Sequence, residues 1–154
     1  MKEIPLTQGK TATIDDDDFV RVSVHKWSFD PKGYAFTNIG KRPHRRILYM
    51  HRLILQAPKG KECDHINNNK LDNRRENLRL CTREENSRNR KLFKNATGYK
   101  GVYFDKDSEV YYAQVKFRGQ TICGGRSKDV KVSAAYYNKV AVELHGEFAN
   151  LNPL

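Results

Sequence analysis

Cysteine is scarce here and arranged in no framework. Cys63, Cys81 and Cys123 are odd in number, and no Cys-x-x-Cys pair occurs. That argues against a disulfide scaffold and a zinc knuckle, and it points to a reducing compartment. Cys63 and Cys81 read as small apolar filler. No apolar run approaches the ~18 residues that a membrane-crossing helix needs. The opening MKEIPLTQGK lacks the apolar stretch of a secretory leader, so the expected location is the cytoplasm, with no membrane partner. Acid is short relative to base: 18 Asp and Glu face 29 Lys and Arg, a net charge of +11 over 154 residues. Such an excess suits a polyanionic partner, nucleic acid first. The length allows one compact domain or two very small ones, and no internal repeat is seen.

What is present falls into three stretches. Residues 1–60 read as short strands and turns. The run Asp15-Asp16-Asp17-Asp18 is expected to cap a helix start. In KRPHRRILYMHRLIL, the cations Lys41, Arg42, Arg45 and Arg46 have no acid among them and suit a phosphate backbone. Its apolar second half predicts a strand running into a short helix, with His51 as a hydrogen-bonded interior residue. Residues 62–93 follow in the order strand, loop, strand, helix. ECDHI and NLRLCT are strand-like, NNNKLDNRRE is turn-rich, and Thr82 with Glu85 predicts a capping box. The helix is expected to continue through NSRNRKLF. KNATG then reads as a linker. In the last stretch YKGVYF, VYYAQVKF and QTICGG predict three strands. Val130, Ala134, Tyr137, Ala141 and Leu144 form one apolar helix stripe, capped by Ser127 and ended by Gly146.

The segment DHINNNKLDNRRENLRLCTREEN, residues 64–86, carries chemistry suited to phosphodiester hydrolysis. A histidine titrates near ~6.5 and can take a proton from an attacking water. A carboxylate and an amide oxygen can hold a hard divalent ion that neutralises phosphoryl charge. Asp64 and His65 are strand neighbours, so their side chains diverge unless the strand ends there. Asn77 could tie down the loop and fix the imidazole. Arg74, Arg75, Arg79 and Arg83 would surround the site with positive charge. A solvated polar loop would have the same composition.

The segment resembles the ββα-metal motif of the HNH endonucleases, in the variant of phage and intron-encoded homing enzymes. Asp64, His65, Asn77 and Asn86 fall in register, with the ENLRLCT strand and the capping box. The resemblance implies His65 as general base, Asn77 as the structural asparagine, and Asp64 and Asn86 as ligands of one Mg²⁺ or Mn²⁺. Asn86 stands where many members have histidine, and Asn89 is a rival ligand. The lead-in YMHRLI is similar to that of many such enzymes and makes His51 a structural support.

GYKGVYFDKDSEVYYAQVKFRGQTICGG and SAAYYNKVAVELHGEFANLN resemble the AP2 DNA-binding domain, in which a three-stranded sheet enters the major groove and a helix packs behind it. Alternation turns Ala113, Val115 and Phe117 toward the helix. Gln114, Lys116 and Arg118 would face DNA, with Lys100, Tyr103 and Gln120 on neighbouring strands. The reading surface typical of that family, rich in arginine and tryptophan, is thinner here.

The expectation is thus an α+β chain. Residues 1–93 hold a β-rich segment and an HNH ββα-metal nuclease module, 94–97 a linker, and 98–154 an AP2-like three-stranded antiparallel sheet on one helix. Its partner would be double-stranded DNA, with no small-molecule substrate, acting as a monomer or weak dimer in a bacterial or phage-infected cell. The alternatives are a non-catalytic, sequence-specific DNA-binding protein with a vestigial site, and an RNA-binding protein using Tyr103 and Tyr111, for which no RNP-type motif is present.

Overall fold

Alternation in KEIP and TATI produces an antiparallel pair, β1 (Lys2–Pro5) and β2 (Thr11–Ile14), that turns Ile4, Ala12 and Ile14 inward. The structure, a computed structural model, describes residues 1–89 and 95–154. Its architecture is α+β, built from small antiparallel sheets and few helices. By its contacts the chain divides into two units, Met1–Asn86 and Ser87–Leu154. Among the described residues no helix is long and apolar enough to cross a membrane.

In the first unit, helix α1 (Phe19–Ser23) is followed by the sheet β3 (Ser28–Phe29), β4 (Ala35–Ile39) and β5 (Arg46–Tyr49), and then by α2 (Met50–Ile54). The expected strand-into-helix of RILYMHRLI is therefore present. Ile14, Val22, Trp27, Met50, Ile54 and Leu78 pack one apolar core. The four aspartates do not cap α1. Asp16–Asp18 form a single 3₁₀ turn ahead of it, and none of their side chains bonds its first amides. Asp15 instead accepts from the backbone N–H of Arg75, and Asp18, 1% exposed, holds the Arg75 guanidinium through both oxygens at 2.7–2.8 Å. The run thus fixes a loop far along the chain. Strand β2 grips the same loop: Thr13 N–H donates to Leu71 O, and Asn73 N–H to Thr13 O, each at 2.8 Å.

That loop joins β6 (Glu62–His65) to β7 (Leu78–Cys81), paired in the register Glu62↔Cys81, Cys63↔Leu80, Asp64↔Arg79, His65↔Leu78. Helix α3 (Arg83–Arg88) follows, and its capping box forms as expected. Glu85 N–H donates to Thr82 Oγ1 and Thr82 N–H to Glu85 Oε2. The expected continuation of this helix over 90–93, and Lys94 of the linker, lie outside the described residues.

In the second unit β8 (Val102–Asp105), β9 (Val110–Phe117) and β10 (Gln120–Ser127) form a sheet in the order β10-β9-β8. Helix α4 (Val130–His145) covers one face. Val102, Ala113, Val115, Ala134, Tyr137 and Ala141 make its core, so the predicted stripe is the buried one. Ser127 is not the cap. Asp129 caps α4 by accepting from Lys131 N–H, while Ser127 accepts from Asp129 N–H. The carboxylate sits one residue before the helix and Ser127 three, so only Asp129 reaches its amides. Gly146, φ 54°, ends the helix as expected. Of the expected linker, Asn95 is tied in, its Nδ2 donating to Tyr99 O and Val102 O.

Candidate active site

Strand alternation sends Asp64 and His65 to opposite faces of the β6–β7 hairpin, and each face has its own partners. On the Asp64 face, Arg79 stands directly opposite and its Nε and Nη2 donate to Asp64 Oδ2 at 2.9 and 2.7 Å. Both side chains are largely buried, which makes this an interior ion pair. Glu62, two residues earlier on the same face, accepts from Asn86 Nδ2 at 2.6 Å. The amide of Asn86 is thereby brought beside the strand that carries Asp64.

His65 closes β6 and is 5% exposed. Its ring meets His51 edge-on at 5.2 Å and lies 6.0 Å from Tyr34, while Tyr49 stacks on His51 at 5.5 Å. Its Nε2–H donates to Asn73 Oδ1 at 3.3 Å. Asn73 is fully buried and its Nδ2 donates to Leu71 O, so its oxygen is the acceptor. In a neutral imidazole this places the lone pair on Nδ1. Burial lowers the His65 pKa, opposed by the Asn73 bond and by Asp64 and Asp72. Burial, with His65 and Arg52 nearby, lowers His51 to about 3 and keeps it neutral. Tyr34 borders both groups of residues. Its phenol is raised by burial first and then by negative charge that includes Asp64 and Glu62.

Asn77 ties the loop, accepting from Asn67 N–H and donating to Asp72 O at 2.9 and 2.7 Å. It is not the imidazole's partner in this geometry; Asn73 is. Sequence reasoning missed Asn73 because it is one asparagine among several in the loop and carries no distinguishing signal. It missed Glu62 too, although the two-residue spacing from Asp64 could have revealed it. Cys63 and Cys81, raised by burial to about 11, stay protonated as filler.

The cationic candidates divide. Arg42, Arg45 and Arg46 are exposed, as are Lys41 and Arg83. Arg74 is bound to Asp72 and Glu76, Arg75 to Asp18, and Arg79 to Asp64. In the second unit Gln114 is half-buried and Lys116 exposed, alternating with the buried Ala113 and Val115. Tyr103 is exposed and pairs with Tyr112 at 5.6 Å. Arg118 is not on the strand. It sits in the β9–β10 turn at φ 49°, over the Phe117 ring. Lys100 lies in the turn before β8, half-buried, with Nζ donating to Arg88 O, and burial lowers its pKa to about 8.

As a cation site, the hairpin offers oxygen. Among the described residues no group of three or more His, Cys, Asp and Glu is gathered as a metal cage. Asp64 and Asn86 would supply two hard donors and leave the remaining positions to water and phosphate, which suits Mg²⁺ or Mn²⁺.

Comparison with known proteins places this segment within a family match. Residues 44–88, which run from the lead-in strand to the end of α3, match the HNH endonuclease family. The chain is 29% identical over 154 residues to an uncharacterized HNH endonuclease of Acanthamoeba polyphaga mimivirus, covering 96% of this chain and 77% of that protein. It is 36% identical over 116 residues to protein 3.8 of Escherichia phage T7, covering 75% of this chain and 95% of that protein. No solved structure matches it significantly. The chain belongs to the family of phage T7 protein 3.8, and its residues 44–88 match the HNH endonuclease family.

Proposed function

We propose that the chain is a metal-dependent DNA endonuclease that hydrolyses phosphodiester bonds at selected sites, as homing enzymes do. The observation that carries this is the anchored imidazole. His65 Nε2–H donates to the buried Asn73, so the basic nitrogen is Nδ1, on a hairpin that also presents Asp64. His65 takes the proton of a water as that water's oxygen forms a bond to phosphorus, and the bond from phosphorus to the 3′-oxygen breaks. Asp64 and Asn86 would hold one divalent ion. Bound there, it supplies Lewis-acid neutralisation of phosphoryl and leaving-group charge. Asn77 keeps the loop in shape through Asn67 and Asp72. Asn86 is favoured over Asn89 because its Nδ2 donates to Glu62, on the face of β6 that carries Asp64.

DNA is gripped by the exposed strip Lys41 to Arg46, and by an AP2-like module over 98–154 whose outer face carries Tyr103, Gln114 and Lys116, with Arg118 in the adjoining turn. Residues 1–93 form the cutting module and 94–97 the linker. The setting is the cytoplasm of a bacterial or phage-infected cell. A single site per monomer gives a nick unless the protein dimerises or turns over twice.

One observation favours a second reading, a DNA-binding protein with a vestigial site. The Asp64 carboxylate holds Arg79 in an interior ion pair. A supercoiled-plasmid assay separates the two. The protein should cut or nick with Mg²⁺ and not with EDTA, and His65→Ala should lower the rate about 100-fold or more, the scale of a lost general base. Equal rates for the two proteins would remove His65 from that role, and no cutting by either would favour the vestigial site.

A further inference from the structure

Glu62 has no role in the chemistry above, yet it makes the contact that decides what Asn86 can do. Glu62 and Asp64 leave the same face of β6, two residues apart. Glu62 Oε2 accepts from Asn86 Nδ2 at 2.6 Å, across 24 positions of sequence. An amide's two ends are nearly the same size but opposite in chemistry: the nitrogen donates, and only the oxygen can ligate a hard cation. An ionised carboxylate accepts and cannot donate, so the NH₂ end must face Glu62 and Oδ1 must face away. Among the described residues no donor meets Oδ1 of Asn86, so the ligating end is left open while the other is tied. The amide needs this control, since a flip replaces a ligand by a hydrogen-bond donor.

We propose that Glu62 is a positioning residue that locks the Asn86 amide with Oδ1 turned to the cation site shared with Asp64. The inference rests on the nuclease reading and deepens it. Glutamine at position 62 keeps the shape of glutamate but can accept from Nδ2 or donate to Oδ1, so Glu62→Gln frees the flip without opening a cavity.

The test is binding of Mn²⁺ by the full chain, followed by the electron paramagnetic resonance signal of the free ion, beside the Mg²⁺ dependence of plasmid nicking. Glu62→Gln should weaken Mn²⁺ binding about tenfold, the scale for losing a residue that orients a metal ligand. It should raise the Mg²⁺ concentration for half-maximal nicking by a similar factor. Nicking at saturating metal should stay within a few-fold of wild type, and DNA binding in EDTA should not change. Asn86→Asp, with oxygen at both ends, needs no orientation, so adding it to Glu62→Gln should restore Mn²⁺ affinity. Trp27 emission checks that each variant folds. Unchanged Mn²⁺ affinity in Glu62→Gln, with the wild type cutting normally, would overturn the positioning role and leave the nuclease reading intact. Loss as complete as in Asp64→Ala, unrelieved by Asn86→Asp, would make Glu62 itself a ligand and also overturn it. A wild-type chain that neither binds Mn²⁺ nor cuts would sink the nuclease reading, and the inference with it.

Discussion

The first unit and the second organise their backbones by different means. Around His65, a loop whose regular structure is one 3₁₀ turn, Arg75–Asn77, is held by polar side chains. Asp72 binds Arg74, Asn77 binds Asn67 N–H and Asp72 O, Asp18 binds Arg75, and Asn73 binds Leu71 O and His65. In the second unit, close approach is made by removing side chains. Gly101 lies under the Tyr137 ring, Gly125 faces Tyr136, and Ala113, Ala134 and Ala141 line the seam between sheet and helix. The lesson concerns tolerance. The second unit is limited by volume at Gly101 and Gly125, where a Cβ would lie 2.3 and 2.6 Å from tyrosine ring carbons. The first is limited by pairing, because a buried polar group that loses its partner keeps the full cost of desolvation.

The largest effect should come from filling the seam of the second unit. A Cβ on Gly101 would lie 2.3 Å from Tyr137 ring carbons and 2.5 Å from the Gln114 carbonyl oxygen, at φ +67°. Gly101→Ala should therefore cost at least ~3 kcal/mol through overpacking and backbone strain. Hydrogen exchange of the β8 and β9 amides would report it, with Trp27 emission as the reading for the first unit. Unaltered exchange would break the claim that volume is the limit there.

A smaller and asymmetric effect is expected at the Asp18–Arg75 pair. Arg75→Ala strands a carboxylate that is 1% exposed, whereas Asp18→Asn leaves a guanidinium with water beside it, since the Arg75 side chain is 47% exposed. The first should cost about 2 kcal/mol and the second about 1 kcal/mol or less, on the scale of broken interior pairs discounted for that exposure. Urea midpoints followed by Trp27 emission measure both. Equal losses would mean that stranded charge is not the governing cost.

The smallest effect is a pH dependence in the first unit. His51 is lowered to about 3 by burial, while the unfolded imidazole titrates near ~6.5. Between those values the unfolded chain binds more protons. Stability is therefore complete above about pH 6.5 and falls as the pH falls, by about 1 kcal/mol between pH 7 and 5.5 for one such group. His65, lowered in the same direction, adds to the slope. Urea midpoints at the two pH values, compared with those of a His51→Asn variant, should show a shallower slope in the variant.

Much of this was legible in advance where a local rule applied. The capping box of Thr82 and Glu85, the stripe of α4 and the alternation of Ala113, Gln114, Val115 and Lys116 each follow from spacing alone, and each is present. Local rules failed where another partner competed, near or distant in sequence. The four aspartates look like a helix cap, but Arg75 claims Asp18 from 57 positions away. Ser127 can cap, but Asp129 is nearer the helix. Arg74, Arg75 and Arg79 look like free cations in sequence, and in the fold each meets a carboxylate. The partner of His65 could not be read at all, because five asparagines between 67 and 77 are chemically alike in sequence and only the grip of Thr13 on the loop selects Asn73.

The sequence by itself determined the chemistry on offer: an Asp-His pair at a strand end, an asparagine in a capped helix, and a basic surface. Periodicity and capping are properties of neighbouring residues, so they survive without coordinates. Only the tertiary structure decided which nitrogen of His65 is basic and which end of the Asn86 amide points outward. Both depend on hydrogen bonds to residues brought close by folding, and a chemical group's identity carries no information about which of its ends will meet a partner.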